Sequence, residues 1–402
     1  MIGPEIPKSE YPQRIEKVRK LMRAHKVDAV VIYHDEYYMS NGCYLTNYWP
    51  IIEAGAVLVP MEGEPLLLGG PEAMGYALEV SAIQTWRSVD AFIVPEEEYP
   101  GAVIEPLGDV LKGTTGGKPL RRLGVVGYDV TPYGLIRAIQ EALPGVELVD
   151  ITRDYEVMRA VKSEAEIAVM SFAFDAGAEG EKAAIPTIKA GATEYTVIGA
   201  AEGRMRSIGI DGWNFRGMAA SGPRSNGVVP PASFKQLQDG ELVLVGFSPK
   251  YRGYSSGVAA TYAVNYPPTD EQLKFLGHLA QALRVTRDAL RPGVRGREID
   301  AITRGFLSDL GYGPYLSMGF VHTVGLNEFE RPFFGPNSDD VLEVNLTVCI
   351  DISMFHHPVF HGARIETGYV IRESGAEPLS QNLEDLLFSL GQPDGLWSVG
   401  RS

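Results

Sequence analysis

Cysteine is nearly absent: Cys43 and Cys349 are the two in a chain of 402 residues. They lie far apart, in neither a CxxC pair nor a metal-type spacing, so no disulfide framework is available. Both read as core or strand thiols of a reducing compartment. No stretch of eighteen apolar residues occurs, and the N-terminal MIGPEIPKSEYPQRIEKVRKLM carries no signal-like apolar run, which points to a cytoplasmic protein without a membrane partner. Positive charge is in deficit. Against 51 acidic residues stand 36 basic ones, a net charge of −15, with no Lys/Arg stripe to neutralise phosphates, so nucleic acid is excluded as a partner. Low-complexity linkers and short-period repeats are also missing. What remains, 45% hydrophobic and 22% charged, has the composition of a globular chain and the length for two domains.

Apolar residues at helical spacing over 11–26 are followed by the β-branched run VDAVVIYH, and further short strands (AGAVLVP, LLLGG, RLGVVGYD, VELVD) surround a helix near 132–143. This alternation describes a small α/β domain over 1–158 with a largely buried sheet. From 159 the pattern changes. RAVKSEAEIAVM opens a long helix with Ser163 as N-cap and Glu166 three residues on, a capping box. A helix near 193–207 follows, then strands, then helices over 269–290 and 296–310 separated by the break RPGVRG, and strands again to the end. Residues 159–402 therefore form an α+β domain with helices on one side of a curved antiparallel sheet.

Four phrases of this second domain resemble the pita-bread superfamily of creatinase, X-Pro dipeptidases and methionine aminopeptidases. LRPGVRGREIDAITRGFLSDLGYG is similar to the helix before that superfamily's metal-binding His, and RAVKSEAEIAVMSFAFDAG to its interdomain stretch. VHTVGLNEFERP resembles the His-Gly-x-Gly…His-Glu-x-Pro segment, and GARIETGYVI the Gly-x-Arg-x-Glu segment. The first domain resembles the N-terminal domain of creatinase and X-Pro dipeptidases. The resemblance implies a pita-bread fold and, in the metalloenzymes, two divalent ions held by Asp, Asp, His, Glu and Glu, which generate a hydroxide nucleophile.

In GELVLVGFSPKYRGYSSGVAAT the two Asp positions fall on Gly246 and Gly257, in a frame fixed by Gly240, Gly253, Tyr254 and Thr261. His322 stands at the metal His, Asp351 at the first Glu and Glu366 at the second. Phe329 replaces a second His, and Val228 and Val229 occupy the region where another His is expected. Two lost aspartates imply a metal-free, creatinase-like centre without cofactor. Were one ion held, its ligands would be His322, Asp351 and Glu366.

His322 is then the acid/base candidate, because imidazole titrates near neutrality. Asp351 and Glu366 read as a carboxylate pair able to hold and pass a proton. Arg331 is the candidate for a substrate carboxylate, or a partner for Glu330. Arg364 sits beside Glu366, and Arg216, Arg224, Asn226 and Tyr254 border the pocket. Ser255 and Ser256 are read as solvated strand ends, and His356, His357 and His361 as surface loop. The aromatic run Tyr37, Tyr38, Tyr44, Tyr48 and Trp49 is read either as a lid over the partner subunit's pocket or as core. The expectation is a homodimeric hydrolase of a C–N bond in a small guanidino or amino-acid-like molecule. A lyase, a single-ion X-Pro dipeptidase-like hydrolase and a non-catalytic binding module are the competing readings.

Overall fold

A computed structural model describes residues 3–93 and 99–401. The chain divides into two compact units, Ile6–Arg159 and Met1–Glu5 with Ala160–Ser402.

In the first unit, helices α1 (Tyr11–His25), α2 (Ser40–Thr46), α3 (Met74–Val80), α4 (Leu107–Gly113), α5 (Tyr133–Ala142) and α6 (Thr152–Met158) accompany a six-stranded sheet. Its strands are β1 (Ala29–His34), β2 (Gly55–Pro60), β3 (Leu66–Gly69), β4 (Trp86–Ser88), β5 (Arg122–Val126) and β6 (Glu147–Asp150), in the order β4-β3-β2-β1-β5-β6. The sheet is mixed: β1 runs antiparallel to β2 and parallel to β5. Every residue of β1 and β2 is buried, which is why these strands read as continuous apolar runs and not as alternation. Tyr44 and Tyr48 belong to this core, whereas Tyr37 and Tyr38 are exposed and Trp49 donates from its indole to the Glu36 carbonyl at 3.0 Å. The aromatic run is therefore split between core and surface.

The second unit opens with α7 (Glu164–Ala184), whose N-cap Ser163 and Glu166 form the capping box expected from the sequence. Helix α8 (Glu194–Ile208) follows, then α9 (Asp270–Ala289), itself capped by Thr269 and Gln272, α10 (Gly296–Asp309) and α11 (Gln381–Phe388). A small sheet joins β7 (Gly212–Trp213), β10 (Pro249–Tyr251) and β11 (Tyr254–Ser255). The principal sheet is antiparallel, in the order β14-β13-β15-β16-β12-β9-β8, with β17 (Gly375–Pro378) added to β16. Its members are β8 (Met218–Ser221), β9 (Leu242–Phe247), β12 (Val258–Ala263), β13 (Val321–Thr323), β14 (Glu330–Phe334), β15 (Thr347–His357) and β16 (His361–Arg372).

Candidate active site

The register of the principal sheet assembles the site. Directly opposed residues of antiparallel strands share a face. Asp351 of β15 faces Glu366 of β16, Glu366 faces Ala259 of β12, Ala259 faces Gly246 of β9, and Gly246 faces Met218 of β8. One row thus crosses five strands. Beside it, His322 of β13 is paired with Cys349 of β15, and Cys349 lies two residues from Asp351, on the same side of the strand.

His322 Nε2 is 3.3 Å from Glu366 Oε1 and 3.5 Å from Glu328 Oε1. All three side chains are largely withdrawn from water, His322 and Glu366 almost completely. Asp351 turns to the other side of the row, where Arg364 Nε lies 3.3 Å from its Oδ1. Ser353 Oγ donates to the same oxygen and accepts from Arg364 Nε at 2.8 Å. The pair sequence reasoning placed around Arg364 is therefore Asp351–Arg364, not Glu366–Arg364. Positions 246 and 257 bring no side-chain donor. A β-carbon at 246 would lie 2.7 Å from Met218 Cε, and one at 257 would lie 2.3 Å from Glu366 Oε1 and 2.8 Å from Cys349 Sγ.

Burial opposes charge on His322, but the Glu328 carboxylate, the hydrogen bond and charge of Glu366, and Asp351 outweigh it and push its pKa up to about 9. Burial also raises Glu328, with the charge of His322 working against it and those of Glu366 and Asp351 adding to it, to about 7. Glu366 is held below the usual carboxylate range: burial pushes it up, and the hydrogen bond and charge of His322 and the charge of Arg364 more than reverse that. Asp351 moves up, by burial first, with Arg364 opposing and Glu366 adding.

Among the described residues, one group of three could hold a metal ion. It comprises His322, Cys349 and Glu366, whose donor atoms lie within 4.8 Å of one another, all buried. The donor set of imidazole, thiol and carboxylate suits a single divalent ion. Beside it is a cavity of about 460 Å³ whose polar lining includes His322, Glu328, Asp351 and Arg364. Its walls are apolar. Val228, Val229, Phe329 and Phe333 face it, Phe329 lying 5.0 Å from the His322 ring and stacking on Phe333 at 4.8 Å. The valines and the phenylalanine thus form a hydrophobic wall.

Several expected contacts lie elsewhere. Glu330, expected at the substrate, is buried in an ion pair with Lys162 at 3.3 Å and accepts from the Asn327 amide, so it pins the loop behind the site. Arg331 is exposed, its guanidinium 5.0 Å from the Phe333 ring, and does not line the cavity. Tyr254 donates to Glu166 at 2.7 Å inside the core. Asn226 accepts from the His356 amide at 2.7 Å, and Arg216 is exposed between β7 and β8. Ser255 and Ser256 are fully buried and donate to the carbonyls of Leu326 and Pro249, which corrects their reading as solvated strand ends. His357 and His361 face each other across the β15–β16 turn, with His357 packed on Phe360. Glu328 and Cys349 were missed: the first passes for a spacer in NEFERP, and the second for a core thiol.

Residues 14–161 match the creatinase/prolidase N-terminal domain and residues 168–373 match metallopeptidase family M24. The chain is 30% identical over 293 residues to an uncharacterized peptidase, YqhT, of Bacillus subtilis, covering 72% of this chain and 80% of that protein. It is 26% identical over 381 residues to the Xaa-Pro dipeptidase of Pyrococcus horikoshii, covering 93% and 99%. The crystal structure of the prolidase from Pyrococcus horikoshii superposes with a TM-score of 0.78 at 25% identity, over 91% of this chain and 97% of that one. The pita-bread expectation holds. The expectation of a metal-free hydrolase of guanidino or amino-acid C–N bonds does not, because relatives matched over nearly their whole length are peptidases of a metal-dependent family. The chain belongs to metallopeptidase family M24, with a creatinase/prolidase N-terminal domain joined to a pita-bread domain.

Proposed function

We propose that the chain is a single-ion hydrolase of small peptides of the Xaa-Pro kind. The observation that carries this reading is the convergence of His322, Cys349 and Glu366 within 4.8 Å beside the cavity. The Xaa-Pro dipeptidase relatives supply the substrate class. Gly246 and Gly257 contribute neither charge nor donor, so a second ion lacks ligands and one ion is the stoichiometry these residues support. When bound, such an ion polarises a scissile carbonyl and acidifies a water.

The chain's own residues do the rest. Glu328 lines the cavity beside His322, its carboxyl raised by burial first, and is placed to take a proton from water and return it to the departing amine. Asp351 neutralises Arg364 and leaves its guanidinium at the cavity wall, where its remaining donors can meet a peptide's polar groups. Phe329, Phe333, Val228 and Val229 offer an apolar surface suited to a pyrrolidine ring or an aliphatic side chain, and they exclude water around the reacting bond.

The test is hydrolysis of a panel of Xaa-Pro dipeptides before chelation, after it, and after a divalent ion is restored. Cleavage that vanishes and returns is expected. Cleavage that survives exhaustive chelation, or an ion-loaded protein inert towards every member of the panel, would sink the proposal.

A further inference from the structure

We infer that Cys349 is the third protein ligand of the ion, making a His–Cys–Glu site of zinc type with one position left open for water or substrate. This rests on the single-ion reading above and goes beyond it by exchanging the expected carboxylate for a thiolate.

Three observations carry it. First, Cys349 is register-paired with His322 and its Sγ joins the imidazole and the Glu366 carboxylate within 4.8 Å, whereas Asp351 is outside that group. Second, Asp351 is committed. It neutralises Arg364, and both side chains are at least nine-tenths buried. Drawing Asp351 to an ion would strand a buried guanidinium, a costly outcome in a low-dielectric interior. Third, Gly257 makes the room. A β-carbon there would start 2.3 Å from Glu366 Oε1 and 2.8 Å from Cys349 Sγ, so a side chain at 257 and the present convergence of thiol and carboxylate compete for one volume. Where the resemblance sets an Asp ligand at position 257, this chain has no side chain, and Cys349 of β15, on the far side of β16, reaches into its place.

The chemistry of the set follows. Thiolate and carboxylate together cancel a 2+ charge with the imidazole neutral, and sulfur favours zinc or cobalt over magnesium or manganese. Binding replaces the S–H bond by an S–metal bond and any N–H at the coordinating imidazole nitrogen by an N–metal bond, and these protons leave to solvent. With no ion, the thiol has a single weak partner in the described residues, the Gly257 carbonyl at 4.0 Å.

The experiment is a cobalt(II) titration of the chelated, reduced full-length protein, read by absorption, for wild type, Cys349→Ser and Cys43→Ser. Wild type and Cys43→Ser are expected to develop thiolate-to-cobalt charge-transfer absorption in the near ultraviolet that saturates at about one equivalent. Cys349→Ser should lack that band and bind cobalt at least about 100-fold more weakly, the upper end of losses caused by outer-shell changes alone. Because the chain has only two cysteines, retention of the band in Cys43→Ser assigns it to Cys349 even if the serine variant does not fold. Cobalt bound at one equivalent without the band would overturn the thiolate ligand and leave the single-ion reading standing. No cobalt bound by any of the three proteins would overturn both.

Discussion

A histidine of the first unit gives the most quantitative test of the burial and titration reasoning. His34 ends β1 in the first unit, fully buried, and among the described residues neither ring nitrogen has a hydrogen-bond partner. Two glycines admit the ring: a β-carbon at Gly42 would fall 2.0 Å from Nδ1, and one at Gly55 would fall 3.2 Å from Nε2. Burial lowers its pKa from 6.5 to about 4, with nearby Asp35 opposing. The unfolded chain takes up this proton near pH 6.5 and the folded chain resists until about pH 4. Stability is therefore fully present above the unfolded pKa and is lost as pH falls towards the folded one. A gap of about 2.5 pH units at ~1.36 kcal/mol each totals ~3 kcal/mol, of which ~2 kcal/mol has gone by pH 5. His34→Leu removes the titration along with two unsatisfied nitrogens, and at neutral pH it should stay within ~1 kcal/mol of wild type. Hydrogen exchange of a peptide spanning Ala29–His34, at pH 7.5 and at pH 5, reports the opening free energy of this unit. Wild type should lose ~2 kcal/mol more than the variant between the two conditions. An equal loss in both proteins would refute the reasoning.

Three further outcomes follow from the second unit. Lys162→Met leaves the Glu330 carboxylate buried without its cation and should destabilise the unit by ~3–5 kcal/mol in urea unfolding, far more than the double change to apolar residues. Tyr254→Phe deprives Glu166 of a buried donor at 2.7 Å and should cost ~1–3 kcal/mol by the same measurement while leaving cobalt affinity unchanged. Phe329→Ala opens the apolar wall beside His322. It should raise KM for an Xaa-Pro dipeptide about tenfold with little change in kcat, the signature of lost uniform binding.

Helices were the most legible part of the sequence. Period located α7 and α9, and for α7 the Ser163–Glu166 capping box added a local signal that needs no tertiary knowledge; the Thr269–Gln272 cap of α9 emerged with the structure. Strand existence was legible too, but strand order was not, since nothing local says that β16 lies between β15 and β12. The site divides the same way. His322 and Glu366 stood at the positions the resemblance implied, and they meet at 3.3 Å. Glu330 misled, because its partner Lys162 lies 168 residues away, beyond any local rule. Glu328 carries no positional signal, being next to the aromatic that replaced a histidine. Cys349 did carry one. Two residues before Asp351 on a strand, it must share that residue's face, but a lone cysteine flanked by apolar residues reads as core until the neighbouring strand is known.

Native mass spectrometry of the purified protein, with the bound ions identified and counted per chain, decides the stoichiometry of the site. Wild type is expected to carry one divalent ion per chain, and none is expected to be retained when His322 and Glu366 are replaced by Ala and Gln. Two ions per chain, or one that persists in that double variant, would contradict the single-ion reading.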